Sequence, residues 1–92
     1  MNVKPIHIGV ISDTHGLLRP EALTALQGSD CIIHAGDIGA AEILTKLETI
    51  AAVTAVRGNI DKGPWAKKIP TTNVLEVVGV SIYVLLCLSI YR

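Results

Sequence analysis

"GVISDTHG", residues 9–16, is the stretch on which the fold turns. A run of apolar, mostly β-branched residues that starts at Ile6 ends abruptly in Asp13-Thr14-His15-Gly16. Nearly continuous apolar character over 6–12 predicts a strand covered on both faces, as in a parallel sheet. "HGLLRPEALTALQG" follows. Pro20 suits a first helical position, Leu23 and Leu26 share a face, and Gly28 suits the stop. "DCIIHAGD", residues 30–37, repeats the pattern of strand and polar end. "AAEILTKLETI" then reads as a helix through Ile43, Leu44, Leu47 and Ile50. "AAVTAVRGNID" is a third strand, ending in Gly58-Asn59. The order βαβαβ predicts an α/β fold with parallel pairing and right-handed crossovers.

Beyond Asp61 the texture changes. "KGPWAKKIPTTN", with two prolines and three lysines, reads as a surface loop. "VLEVVGVSIYVLLCLSI" reads as a β-hairpin about Gly79, because from Val80 the side chains alternate with a period of two. The three parallel strands and the hairpin are expected to share one sheet.

The 92 residues make one small domain, 1–92, and half of them are apolar. With Trp65, Tyr83 and Tyr91 as its aromatics and no Phe, the core must be aliphatic. Eight basic and eight acidic residues cancel, so there is no basic stripe to engage a nucleic acid duplex. The uncharged run 77–90 is 14 residues long, short of the roughly 20 that a membrane span needs, so no membrane partner is expected. Cys31 and Cys87 lie in apolar runs without framework spacing, which predicts reduced, buried thiols and a cytoplasmic protein.

Each predicted parallel strand ends in polar residues: Asp13 and His15, then Asp37, then Asn59 with Asp61 nearby. In open α/β sheets ligands bind beyond the carboxyl ends of the strands, and neighbouring strands lie about 4.8 Å apart. Such side chains can converge on one or two ions. Carboxylate, imidazole and amide oxygen together suit Mn²⁺, Fe²⁺ or Zn²⁺. A central carboxylate such as Asp37 can bridge two ions that clamp a phosphoryl group and activate water. Glycines at 16, 36 and 58 let the backbone turn sharply. Taken singly, Asp13 or Asp37 reads more readily as a turn or cap residue; the joint pattern points to a metal site.

"ISDTHG", "IIHAGDIG" and "VRGNID" resemble the first three blocks of the calcineurin-like metallophosphoesterase superfamily, closest to its small single-domain prokaryotic phosphodiesterases. The resemblance runs from about Ile8 to about Leu85. It implies the first half of a β-sandwich flanked by helices, with a dinuclear site at one edge. Asp13 and His15 would hold one ion, Asp37 would bridge, and Asn59 would hold the second and contact the phosphate. The implied cofactor is a divalent metal, Mn²⁺ first, two per complete site. The implied activity is hydrolysis of a small phosphoester, often a phosphodiester, by hydroxide formed on the metal. Asp61 falls where the family keeps an acidic residue behind the site.

The resemblance also implies histidines that this chain lacks. Its three are His7, His15 and His34, and Leu86 stands where a ligand histidine would follow the hairpin strand. Asp13, His15, Asp37 and Asn59 then give at most two or three protein bonds per ion. Weakened metal binding is therefore expected, as is a premature end or reading-frame change after about Leu85. The competing expectation is a non-catalytic scaffold, as in a eukaryotic retromer subunit of this fold, or an inactive fragment. Aliphatic surface left by the missing second sheet predicts self-association. Asp61, His34 and Arg57 are the candidates for supporting the ligands or touching substrate. For His34 a satisfied place in the core is the stronger reading. For Arg57 a phosphate contact stands level with exposure or an ion pair with Asp61. His7 lies at the wrong end of its strand, and Ile60 occupies a position where distant members of the superfamily keep a histidine.

Overall fold

A computed structural model describes residues 6–77 and 80–85. Three strands, β1 (Ile8–Ile11), β2 (Cys31–His34) and β3 (Ala52–Ala55), form a parallel sheet in the order β1-β2-β3. Helices α1 (Pro20–Leu26) and α2 (Ala41–Glu48) are the crossovers. Pro20 opens α1 at its first turn, and Gly28, just past its end, takes φ 86° as the stop requires. Glu42 in the first turn of α2 and Lys46 in the last complement the helix dipole.

Two consecutive crossovers of one hand place both helices on one face of the sheet. The packing agrees: Leu26 of α1 and Ile43 and Leu47 of α2 cluster with Ile32 and Ala55 of the sheet, and with Ile38. Ile32, Ile38 and Leu47 are fully buried, each stabilising the fold by about 1.5–3 kcal/mol relative to exposure. On the other face Ile33 and Val56 pack with Ile8 and Leu75.

The central strand is therefore β2, with Ile32 buried on one face and Ile33 on the other. β1 differs from the expectation of a strand covered on both faces: it lies at the edge, and Val10 is 66% exposed. Apolar runs cannot distinguish an edge strand from a central one, because register and neighbours decide the burial. Cys31 is half-buried rather than buried for the same reason, since it lies at the start of its strand.

The hairpin is present as β4 (Thr72–Val77) and β5 (Val80–Leu85), antiparallel with Val77 opposite Val80. It forms its own two-stranded sheet and does not extend the parallel one. The link to β3 is made by single bonds instead of a ladder. Asn73 Nδ2 donates to the Ala55 carbonyl (3.1 Å), and the Arg57 N–H donates to the Pro70 carbonyl (2.8 Å). Pro70 has no N–H to return, which interrupts pairing there. The segment read as a plain loop contains a short helix, α3 (Pro64–Lys67), which buries Ala66 and packs Trp65 against the main cluster. Among the described residues no helix is long and apolar enough to cross a membrane. Leu86 and Cys87 lie outside the described residues.

Candidate metal centre

The hydrogen bonding between β1 and β2 continues past the ends of both strands. Ala35 N–H donates to Ile11 O (2.9 Å), Asp13 N–H to Gly36 O (3.0 Å), His15 N–H to Asp37 O (3.1 Å) and Gly16 N–H to Ile38 O (2.8 Å). The loop after β1 is thereby laced to the loop after β2. Along this seam Asp13, His15 and Asp37 adopt φ of 56°, 49° and 57°. They are the non-glycine residues with left-handed backbone among the described residues. That conformation costs an L-residue about 1–2 kcal/mol, though Asp and His tolerate it better than most. Backbone strain of this kind concentrates at functional sites.

The same three residues bring one ligand atom each to within 4.8 Å of one another. His15 Nε2 lies 3.6 Å from Asp13 Oδ1, and Asp13 Oδ2 accepts the Ser12 hydroxyl at 3.0 Å. Asp13 and His15 are exposed and Asp37 is half-buried. Donors around one ion with bonds of about 2.1 Å lie at most about 4.2 Å apart. Small side-chain rotations would close the cluster to that span. Two carboxylates and an imidazole thus fit a divalent cation in both chemistry and reach.

The loop after β3 approaches from the other side. Gly58 is buried so close to Asp37 that a Cβ there would collide with the Asp37 carboxylate and backbone nitrogen. Its φ is not positive, so here glycine is needed for space and not for the sharp turn expected from the sequence. Ile60 N–H reaches Asp37 Oδ1 at 3.5 Å. Asn59, between these two residues in sequence, is exposed.

Asp61 fastens this arrangement. Its buried carboxylate accepts the backbone N–H groups of Ile38 (3.0 Å), Gly39 (2.8 Å) and Gly58 (2.8 Å). It therefore bonds the loops after β2 and β3 to one side chain. Burial, the largest single influence, pushes its pKa up, but the three N–H donors and nearby His34 together hold it below the usual carboxylate value.

His34 is fully buried and satisfied, in line with a core role. Gly36 N–H donates to its Nδ1 (3.2 Å), so the neutral ring carries its proton on Nε2. That proton faces Thr14 Oγ1 at 2.9 Å, and the Thr14 hydroxyl donates to the Ile38 carbonyl at 2.8 Å. Desolvation lowers the His34 pKa, opposed by Asp61, Asp13 and Asp37. Thr14 was not singled out from the sequence; its position between two candidate ligands was the available signal. Arg57 points Nη1 at the Ala66 carbonyl (3.5 Å), while Asp61 is occupied by backbone donors, so their ion pair is not formed among the described residues. His7 is exposed at the opposite end of β1, where its N–H donates to Asp30 Oδ2.

A groove of about 590 Å³ opens beside Asp13 and His15, running under Leu17 and Leu18 to the start of α1.

Residues 6–87 match the sequence profile of the calcineurin-like phosphoesterase superfamily domain. A probable metallophosphoesterase of Methanothermobacter thermautotrophicus is 43% identical over 75 residues, covering 76% of this chain and 43% of that protein. A second, from Methanocaldococcus jannaschii, is 40% identical over 83 residues, covering 85% of this chain and 41% of that protein. The chain thus spans less than half the length of these curated relatives. Vps29 of Chaetomium thermophilum superposes with a TM-score of 0.71 at 21% identity, over 86% of this chain and 46% of that one. A single-mutant Vps29 from Entamoeba histolytica gives 0.67 at 23% identity, over 85% and 46%. These structures share the fold.

Proposed function

The chain belongs to the calcineurin-like phosphoesterase superfamily, and from that premise we propose that it is a metal-dependent phosphoesterase acting on small phosphodiesters. The observation that carries this reading is the convergence of Asp13, His15 and Asp37, all three held in left-handed backbone at adjoining strand ends. Asp13 and His15 would hold one divalent ion, Mn²⁺ first. Asp37 would bridge to a second ion held by Asn59, whose amide would also contact the phosphate. When bound, such ions lower the pKa of water and neutralise charge on phosphoryl oxygens. The chain's own part is to orient these donors, and Asp61 does so by fixing the loops that carry Asp37 and Asn59.

Ile60, 43% exposed beside Asp37, has no proton to give. The departing alkoxide would then take its proton from solvent, which favours activated esters with acidic alcohols. The reduced thiols expected of Cys31 and Cys87 suit a cytoplasmic enzyme.

Hydrolysis of an aryl phosphodiester by the purified chain with Mn²⁺ tests the reading, with Asp37→Ala as control. Turnover that disappears in the variant supports it, and equal rates in both proteins overturn it. A second reading, a non-catalytic member of the same family, is favoured by one observation: the cluster among the described residues gathers three donors, Asp13, His15 and Asp37, which serve one ion better than two. Mn²⁺ binding without turnover supports that alternative.

A further inference from the structure

We propose that the groove beside Asp13 and His15 is the subsite for the organic group of the substrate, and that Arg19 selects organic groups bearing an anion. The proposal rests on the ion-site reading above and names the substrate class: phosphoesters of an alcohol with apolar surface and a second negative group.

Three observations carry it. The groove is continuous with the ion cluster, since Asp13 and His15 themselves line it. A phosphoryl group held at those side chains would direct one substituent into it. Its volume of about 590 Å³ lies within the roughly 300–1,000 Å³ of small-molecule sites, far more than a methyl ester fills. Its lining is also mixed in a particular way. Leu17, Leu18 and Ala22 supply apolar surface, and Leu17 is left 55% exposed at the groove. Arg19 lines the same groove and its guanidinium has no hydrogen bond or ion pair among the described residues. Glu21 also borders the groove, and it forms no ion pair with Arg19 among the described residues. The guanidinium is therefore available to a carboxylate or phosphate, which it can take in a bidentate pair.

Calorimetry on the full chain with Mn²⁺ tests this through affinity, independently of turnover. The probes are methylphosphonate, benzylphosphonate and para-carboxybenzylphosphonate. Affinity is expected to rise at each step, by about tenfold for the ring and about tenfold for the carboxylate. Arg19→Gln should remove the second gain and keep the first. Leu17→Ala should shrink the first gain and leave methylphosphonate unchanged. Both residues are exposed, so the fold is not at stake. Mn²⁺ binding with equal affinity for all three probes overturns the subsite and leaves the ion site standing. Absence of Mn²⁺ binding overturns the ion-site reading, and this one with it.

Discussion

Gly58 and Asp37 touch so closely that the space for a Cβ on one is filled by the carboxylate and backbone nitrogen of the other. The contact joins the loop after β3 to the residue at the centre of the candidate site. Gly58→Ala should therefore push Asp37 out of place. The expected loss is about 1–3 kcal/mol of stability, as for other overpacked positions, together with at least a tenfold fall in Mn²⁺ affinity. Urea denaturation and metal titration measure the two effects; an alanine variant with wild-type affinity would contradict the geometry.

Asp37 can be removed in two ways with different consequences for the backbone. At φ 57° a glycine is unstrained and an alanine is not. Asp37→Gly and Asp37→Ala should both abolish ion binding, but the glycine variant should be about 1 kcal/mol more stable than the alanine variant. Thermal melts of the metal-free proteins provide the comparison, and equal melting temperatures would remove the strain argument.

Stability should fall in two acid stages. His34 has a folded pKa below its ordinary value, so the unfolded chain takes up its proton first. Its contribution is complete above about pH 6.5 and declines as pH falls toward the lower folded pKa. Asp61 also has a lowered folded pKa. Its contribution is complete above about pH 3.9 and is lost as pH falls through the folded value. Denaturation from pH 8 to pH 5 should show the first stage in the wild type, and His34→Gln should flatten it at the cost of lower stability throughout.

Asp61→Asn tests the fastening of the loops. The neutral amide has one carbonyl oxygen where the carboxylate offers two, so at least one of the N–H groups of Ile38, Gly39 and Gly58 loses its acceptor. Loss of a buried bond to a charged acceptor costs about 1.5–3 kcal/mol. Mn²⁺ affinity should fall about 10- to 100-fold with Asp13 and His15 intact. An equally stable variant of unchanged affinity would show that Asp61 does not hold the site together.

Ion binding should itself stabilise the fold. At a Mn²⁺ concentration 100 times the dissociation constant the gain is about 2.7 kcal/mol, lost again on adding a chelator. A melting temperature indifferent to Mn²⁺ and chelator would count against the site.

The order of elements and the residues of the cluster were legible because they depend on local signals. Apolar runs, Pro20, Gly28 and the helical spacing of Ile43 and Leu47 each act within a few residues. Asp13, His15 and Asp37 were found because polar residues at consecutive parallel strand ends must lie side by side. What escaped depends on contacts distant in sequence. Val10 looks like core until the strand order places β1 at the edge. The division between hairpin and parallel sheet rests on Asn73 and Pro70 meeting the end of β3. The function of Asp61 is to accept three backbone donors, two of them more than twenty positions away, and no local pattern announces that. Trp65 and Ala66 fold into a turn of helix because a core is there to receive them, whereas the prolines and lysines around them suggest loop.

The bonds that lace residues 13–16 to residues 36–38 have a further consequence, for the timescale of the site. Loops at ligand sites often open independently of their sheet and exchange their amide hydrogens quickly. Here the amides of Asp13, His15 and Gly16 are donors in the same ladder that pairs β1 with β2. They should exchange together with Ile33 and His34, as one cooperative unit. Release of an ion would then be governed by breaking its own bonds, because the cradle can open only when the sheet does.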